Sequence, residues 1–178
     1  MNFIKEKKID SRIVIAVLYA AFCFAYFVPT RGTVALFAIN YNLPSFLNND
    51  IVAFIAAGIV PTLAYEIITS VSFRFLQRGG AASIDGLRYA LRFFYIGAAI
   101  VSGGVKLVFL FFPLGSIWAF ILTDTIVPLL FFVGYMFFAL KTYVDKTQYS
   151  RFIYSLGGVF FVVYAVLAVM GLVMGVAV

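Results

Sequence analysis

The chain has 178 residues, of which 65% are apolar and only 11% are charged, against about 25% charged residues in an average soluble domain. A soluble fold of this length cannot bury so many apolar side chains, so the composition predicts an integral membrane protein, with residues 1–178 as a single transmembrane domain. The net charge of +6 is spread over short segments between apolar runs, which is not the pattern of a nucleic-acid-binding surface, and we expect no nucleic-acid partner.

Five apolar runs are long enough to cross a bilayer, whose hydrocarbon core of ~30 Å takes about 20 residues of helix. The sequence therefore predicts an all-α, polytopic bundle of about five transmembrane spans. The predicted spans cover residues 12–29, 51–73, 93–113, 117–140 and 152–177.

The segment between the first two spans is the hardest to assign. Its apolar part, residues 33–39, is too short to cross, and several Asn residues and a proline follow it. We interpret this segment as an interfacial or re-entrant piece that leads to a polar turn, with Asn49 or Asp50 capping the second helix. The alternative is a first helix that continues past a kink to Ile39, which would bury Arg31.

Basic residues are concentrated in every second segment that flanks the spans. Of the 13 Lys and Arg residues, all but Arg31 and Lys106 lie in the N-terminal segment, the loop after the second span or the loop after the fourth. Because cytoplasmic loops retain the excess of Lys and Arg, this pattern predicts a cytoplasmic N-terminus and a C-terminus outside. We expect a multi-pass protein of the cell membrane.

The basic loop over residues 74–92 has a helical pattern of its own. Ile84, Leu87 and Leu91 share one helical face, which predicts an amphipathic surface helix that inserts apolar side chains among the lipid headgroups. Its arginines are predicted to contact anionic headgroups on the cytoplasmic side; simple anchoring by positive charge is the alternative. These arginines are Arg74, Arg78, Arg88 and Arg92.

Two ionisable residues lie at similar depth in neighbouring spans. Lys106 in the third span and Asp124 in the fourth each lie about 10 Å from the outer end, at 1.5 Å per residue, and a short turn joins the two spans. An ion pair between them is predicted, because it would keep both side chains charged. Pro128 removes the hydrogen bond to the Asp124 carbonyl, and Thr123 adds a hydroxyl. This point suits a small cation, a proton relay or a polar substrate group, or else a kink that a salt bridge braces.

Glu66 is the third ionisable residue inside a predicted span. Thr62 and Thr69 lie four residues before it and three after it, so the second helix has a polar stripe on one face. The carboxylate either lines a cavity that binds a proton or a cation, or it pairs with Arg74 or another basic residue of the neighbouring loop. Both interpretations stay open.

We hypothesise that the protein handles a small solute, ion or lipid through an intramembrane polar path. The predicted path residues are Glu66, Lys106, Asp124, Thr62 and Thr123. The alternative is a non-catalytic subunit or scaffold, in which smooth glycine-rich faces pack against other membrane proteins. We therefore expect a homo-oligomer or a membrane-protein partner, besides the lipid bilayer.

Catalysis and cofactor chemistry have little support in the sequence. There is no histidine, and no phosphate loop, zinc motif or nucleophile elbow is present. Asp124 and Glu66 differ in estimated depth by about half the bilayer, too far to share a proton. We expect no catalytic residue, no metal site and no cofactor.

Overall fold

The computed structural model describes residues 9–41, 49–77, 84–111 and 121–176. These residues are almost entirely helical and contain no β-strand, which confirms the all-α class. The main helices are α1 (Ser11–Tyr41), α2 (Asp50–Gln77), α3 (Ile84–Phe111), α4 (Val127–Thr142), α5 (Tyr149–Phe152) and α6 (Gly158–Val176). A π-helical segment, Ile121–Ile126, leads into α4; a 3₁₀ turn, Lys146–Gln148, precedes α5; and a second π-helical segment, Ile153–Gly157, joins α5 to α6.

Among the described residues, four helical stretches are long and apolar enough to cross a membrane, and the apolar stretch Ser11–Tyr26 of α1 adds a shorter fifth. The four are Asp50–Arg74, Ile84–Phe109, Ile121–Thr142 and Lys146–Val166. Their outer faces expose large apolar side chains, such as Leu63, Phe137 and Phe161, which a bilayer would cover. The chain is thus an all-helical, multi-pass integral membrane protein. The orientation of its termini and the membrane that holds it stay predictions.

Helix α1 is longer than the predicted first span. It runs unbroken from Ser11 to Tyr41, so the interfacial piece expected after residue 29 is helical up to Tyr41, and the alternative of a continuing first helix describes it better. Once a helix has formed, each further residue adds a hydrogen bond, and no proline follows Pro29 until Pro44. The burial of Arg31 and the turn at 42–48 lie outside the described residues.

The start of α2 is capped as expected. The Asn49 side-chain oxygen accepts a hydrogen bond from the Ile51 backbone N–H at 2.8 Å, so Asn49 rather than Asp50 provides the cap. At the first helix, the Asp10 carboxylate accepts the Arg12 N–H at 2.7 Å in the same way.

The predicted amphipathic loop at 74–92 is wrong in its boundaries. Helix α2 continues to Gln77 and α3 already begins at Ile84, so only residues 78–83 connect them, and these lie outside the described residues. Leu87 and Leu91 are fully buried in the hydrophobic core of the bundle instead of facing headgroups. The apolar face that the sequence pattern revealed is real, but it packs inward because α3 is one continuous helix.

The glycines at two helix crossings let the backbones approach closely. A side chain at Gly58 of α2 would overlap Tyr19 and Cys23 of α1, and one at Gly103 of α3 would overlap Phe24 of α1. Helix α1 therefore packs against both α2 and α3, and α4 packs against α3. The smooth face of α3 is used within the chain.

Candidate intramembrane binding site

The ion pair predicted between Lys106 and Asp124 is present. The Lys106 Nζ donates to Asp124 Oδ1 at 2.8 Å and to the Ala25 carbonyl at 3.0 Å, and it lies 4.4 Å from the centroid of the Tyr26 ring. The two charged side chains are only 18% and 10% exposed. The ammonium is therefore surrounded by a carboxylate, a carbonyl and an aromatic face, each of which attracts a positive charge.

An irregular stretch of helix positions Asp124. Pro128 occupies the first turn of α4 and has no N–H to donate, and the preceding turn, Ile121–Ile126, is π-helical. Thr123 and Asp124 are buried there, and the Thr123 hydroxyl donates to Asp124 Oδ2 at 2.9 Å. The Ser102 hydroxyl of α3 donates to the Thr123 carbonyl at 2.6 Å, so α3 fixes this turn from across the bundle.

Glu66 forms a second, partly buried ion pair with Arg92 of α3. The Arg92 guanidinium donates to both carboxylate oxygens, at 2.9 and 3.1 Å, and to the Ser11 hydroxyl at 2.7 Å. Of the two interpretations that the sequence left open for Glu66, the structure shows the pairing one, with Arg92 instead of Arg74 as its partner. The pair ties α1, α2 and α3 together.

This pair changes the expectation for the four arginines. Arg92 was expected to contact headgroups, but it is 7% exposed and its guanidinium is occupied by Glu66 and Ser11. Arg74 is exposed, and Arg88 lies 5.8 Å from the centroid of the Phe73 ring. Arg78 lies outside the described residues. Headgroup contact stays a prediction for these three.

The predicted path residues lie at two levels of the bundle. Arg92, which holds Glu66, and Lys106 are about 21 Å apart along α3, at 1.5 Å per residue. Lys106, Asp124 and Thr123 meet at one level, whereas Glu66 lies at the other. Thr62 precedes Glu66 by one turn of α2, and its buried hydroxyl has no hydrogen-bond partner among the described residues. A pathway role for the five residues stays a prediction.

Between the two ion pairs lies a cavity of about 350 Å³. Its wall is mainly aromatic and aliphatic, with the Asp124 carboxylate and Ser102 as polar members. The aromatic lining residues are Phe22, Tyr26, Tyr65, Tyr95, Phe160 and Tyr164. Four helices contribute these rings, so no stretch of sequence reveals the cavity. The sequence did contain one indication of the cavity, namely tyrosines inside the spans. Tyrosines of membrane proteins usually lie at the membrane–water interfaces instead.

The tyrosine hydroxyls of the cavity-lining residues differ in whether they have a hydrogen-bond partner among the described residues. Tyr95 and Tyr164 share a hydrogen bond at 2.5 Å, whereas the Tyr65 hydroxyl is buried and has no hydrogen-bond partner in the described part of the chain. The Tyr65 and Tyr95 rings pack with their centroids 4.8 Å apart. Since nearly all buried polar groups in proteins are paired, the Tyr65 hydroxyl calls for a partner that the described residues do not supply.

The cavity is open on one side of the bundle. Ala64 of α2 lines it and is itself exposed, although its neighbour Tyr65 is buried. Helix α2 packs along α1 and meets the last helical stretch at the π-helical segment Ile153–Gly157, while Phe160 and Val163 of α6 form the facing wall. The opening therefore lies between α2 and α6.

Comparison with family models, curated proteins and solved structures finds no match to this chain. The class of protein is therefore defined by the fold and the site alone. It is an all-helical integral membrane protein with an aromatic cavity between two partly buried ion pairs.

Proposed function

We propose that this integral membrane protein binds a small, mainly apolar molecule, either a solute or a lipid, in the cavity between its helices. The cavity carries the proposal. Its volume of about 350 Å³ lies at the lower end of the range that ligand pockets occupy, and its wall combines apolar and aromatic side chains with few polar groups, as such pockets do.

An apolar ligand is better supported than an ion pathway. A small cation at Asp124 would have to displace the Lys106 ammonium, which already occupies the carboxylate and the Ala25 carbonyl. Glu66 is likewise occupied, by two hydrogen bonds from Arg92. Both carboxylates that could bind an ion, Asp124 and Glu66, are therefore already paired with basic side chains.

The alternative of a docking subunit has less support from the packing. Gly97 and Gly103 of α3, which would have formed a smooth docking face, contact Phe131 and Phe24 of the same chain. Purification of the full chain with a stoichiometric membrane-protein partner would nevertheless favour the subunit role over ligand binding.

Native mass spectrometry of the full chain tests the proposal directly. The protein is purified in mild detergent, incubated with a total lipid extract of the expression host, and compared with the variants Ala98→Leu and Gly104→Leu. Ala98 is buried and lines the cavity, so leucine should fill it and displace the bound mass. Gly104 lies on the same helix, and a Cβ there meets no atom within 4 Å, so its variant is the control.

We expect a bound small molecule on the wild-type chain and on Gly104→Leu, and its loss from Ala98→Leu. Retention of the same bound mass by Ala98→Leu would place the molecule elsewhere and contradict the proposal, as would the absence of bound mass from the wild-type chain.

A further inference from the structure

We infer that the ligand is an uncharged amphiphile dissolved in the membrane, that it enters sideways between α2 and α6, and that its polar group accepts a hydrogen bond from Tyr65. This inference rests on the proposed function and names the chemical class of the ligand and its route. Three features of the cavity carry it: charge balance, an unpaired hydroxyl and the position of the opening.

Asp124, the charged residue of the cavity wall, is paired, and Arg88, which has no ion pair among the described residues, does not line the cavity. Lys106 is neutralised by Asp124 at one level of the bundle, and Arg92 is neutralised by Glu66 at the other. An ionic ligand would lose its hydration and find no free counter-charge to replace it. Neutral molecules escape this cost, so charge balance selects an uncharged ligand.

The Tyr65 hydroxyl specifies the polar group. Tyr65 lines the cavity, and its hydroxyl is fully buried and finds no acceptor among the described residues. Thr62, three residues earlier on α2, carries a second buried hydroxyl without a partner in that part of the chain, although Thr62 itself does not line the cavity. A hydroxyl group on the ligand suits this surrounding best, because it accepts from Tyr65 and still has a proton to donate.

The opening faces lipid. On α2, Leu63 and Ile67 flank the exposed Ala64 and are themselves 56% and 62% exposed, and Phe161 of α6 is 68% exposed. These exposed side chains are apolar and belong to the stretches that span the membrane, so a molecule leaving at Ala64 would meet hydrocarbon chains. Along α3, the Glu66–Arg92 pair lies beyond one end of the cavity, and the Lys106–Asp124 pair lies at the other end, where Asp124 is part of the wall. The route to the cavity is therefore lateral.

Photolabelling of the full chain in lipid nanodiscs tests each part of the inference. The probe is a diazirine derivative of 1-decanol, and the matched probes are the corresponding decanoate and decylammonium derivatives, which differ in head-group charge. Labelled peptides are identified by mass spectrometry, with and without excess unmodified 1-decanol. We expect the alcohol probe to label peptides of the cavity wall, to be competed by 1-decanol, and to exceed both charged probes severalfold.

Three variants localise the effect. Tyr65→Phe retains the ring and removes an unpaired hydroxyl, so it should fold normally and lower cavity labelling about fivefold, the factor for one hydrogen bond of about 1 kcal/mol. Ala64→Trp should block the opening and abolish labelling. Leu63→Trp places the same bulk on the neighbouring lipid-facing residue, which does not line the cavity, and should leave labelling unchanged.

The outcomes separate this inference from the proposed function. Equal cavity labelling by the charged probes, or labelling that Tyr65→Phe does not change, would overturn the ligand class and leave cavity binding intact. Undiminished labelling of Ala64→Trp would overturn the lateral route. If no probe labels the cavity wall, the proposed function fails together with the inference.

Discussion

The two partly buried ion pairs of the described residues differ in what surrounds them. Lys106 and Asp124 meet beside a π-helical turn, and Asp124 forms part of the cavity wall. Glu66 and Arg92 meet between regular helices, in a bidentate geometry closed by Ser11, and neither lines the cavity. An irregular helix therefore holds the pair that reaches the cavity wall, and regular helices hold the pair that ties the bundle together. Under the proposed function, we expect the first pair to shape the binding site and the second pair to be structural.

The largest effect is expected from breaking the pair at the cavity. Asp124→Asn leaves the Lys106 ammonium buried without its counter-charge, and the free energy of unfolding should fall by about 3–5 kcal/mol. Adding Lys106→Met should restore most of this loss, because no buried charge then remains. Thermal unfolding of the single and double variants in detergent measures both changes; a double variant as unstable as Asp124→Asn would contradict the account.

A smaller effect is expected at the pair that ties the helices. Glu66→Gln leaves Arg92 with its Ser11 hydrogen bond, and the Glu66 side chain is 25% exposed, so the free energy of unfolding should fall by about 2 kcal/mol. Cavity labelling by the 1-decanol probe should persist in the folded variant. If Glu66→Gln abolished labelling while remaining folded, the contrast between the two pairs would be wrong.

The helix crossing next to the Lys106 site should respond to added volume. Gly103→Ala pushes a methyl group into the Phe24 ring, beside Ala25, whose carbonyl holds Lys106, and should cost about 1.5 kcal/mol of unfolding free energy. Gly104→Ala, the matched control, gains helix propensity without overlap and should be neutral or slightly stabilising. Chemical denaturation compares the two, and equal stability of both variants would refute the close α1–α3 approach.

The smallest expected change is a gain in stability at Tyr65, which lies between the two ion pairs. Tyr65→Phe removes a buried hydroxyl without a partner among the described residues, so the ligand-free protein should become more stable by about 1 kcal/mol. The same change weakens binding, so stability and function move in opposite directions. A loss of stability in the ligand-free protein would show that this hydroxyl has a partner within the chain.

The sequence was sufficient for the fold class and for one of the two ion pairs. Apolar runs of span length require no knowledge of packing, and Lys106 and Asp124 lie on spans joined by a short turn, so the rise per residue alone brings them to one depth. Arg92 was assigned to a surface loop because basic residues usually mark loops. Its burial depends on Glu66 and Ser11, whose approach is set by how α1, α2 and α3 pack.

The cavity could not be predicted because it belongs to no single element. Tyr65 lies on α2, Tyr95 on α3 and Tyr164 on α6, so their meeting depends on the rotation of each helix about its axis. Hydrophobic periodicity does not fix these rotations here, since apolar side chains face both the core and the outer surface. The end of α1 was placed too early because residues 33–39 were interpreted as a separate apolar piece, whereas the helix runs to Tyr41.

A crystal structure of the full chain grown from a lipidic mesophase containing 1-decanol would show whether the cavity holds a ligand. We expect density for a small molecule between Tyr65 and Asp124, with an oxygen atom at about 2.8 Å from the Tyr65 hydroxyl, a usual O–H···O distance. A cavity closed by the chain itself, with the Tyr65 hydroxyl bonded to a protein group, would contradict this expectation.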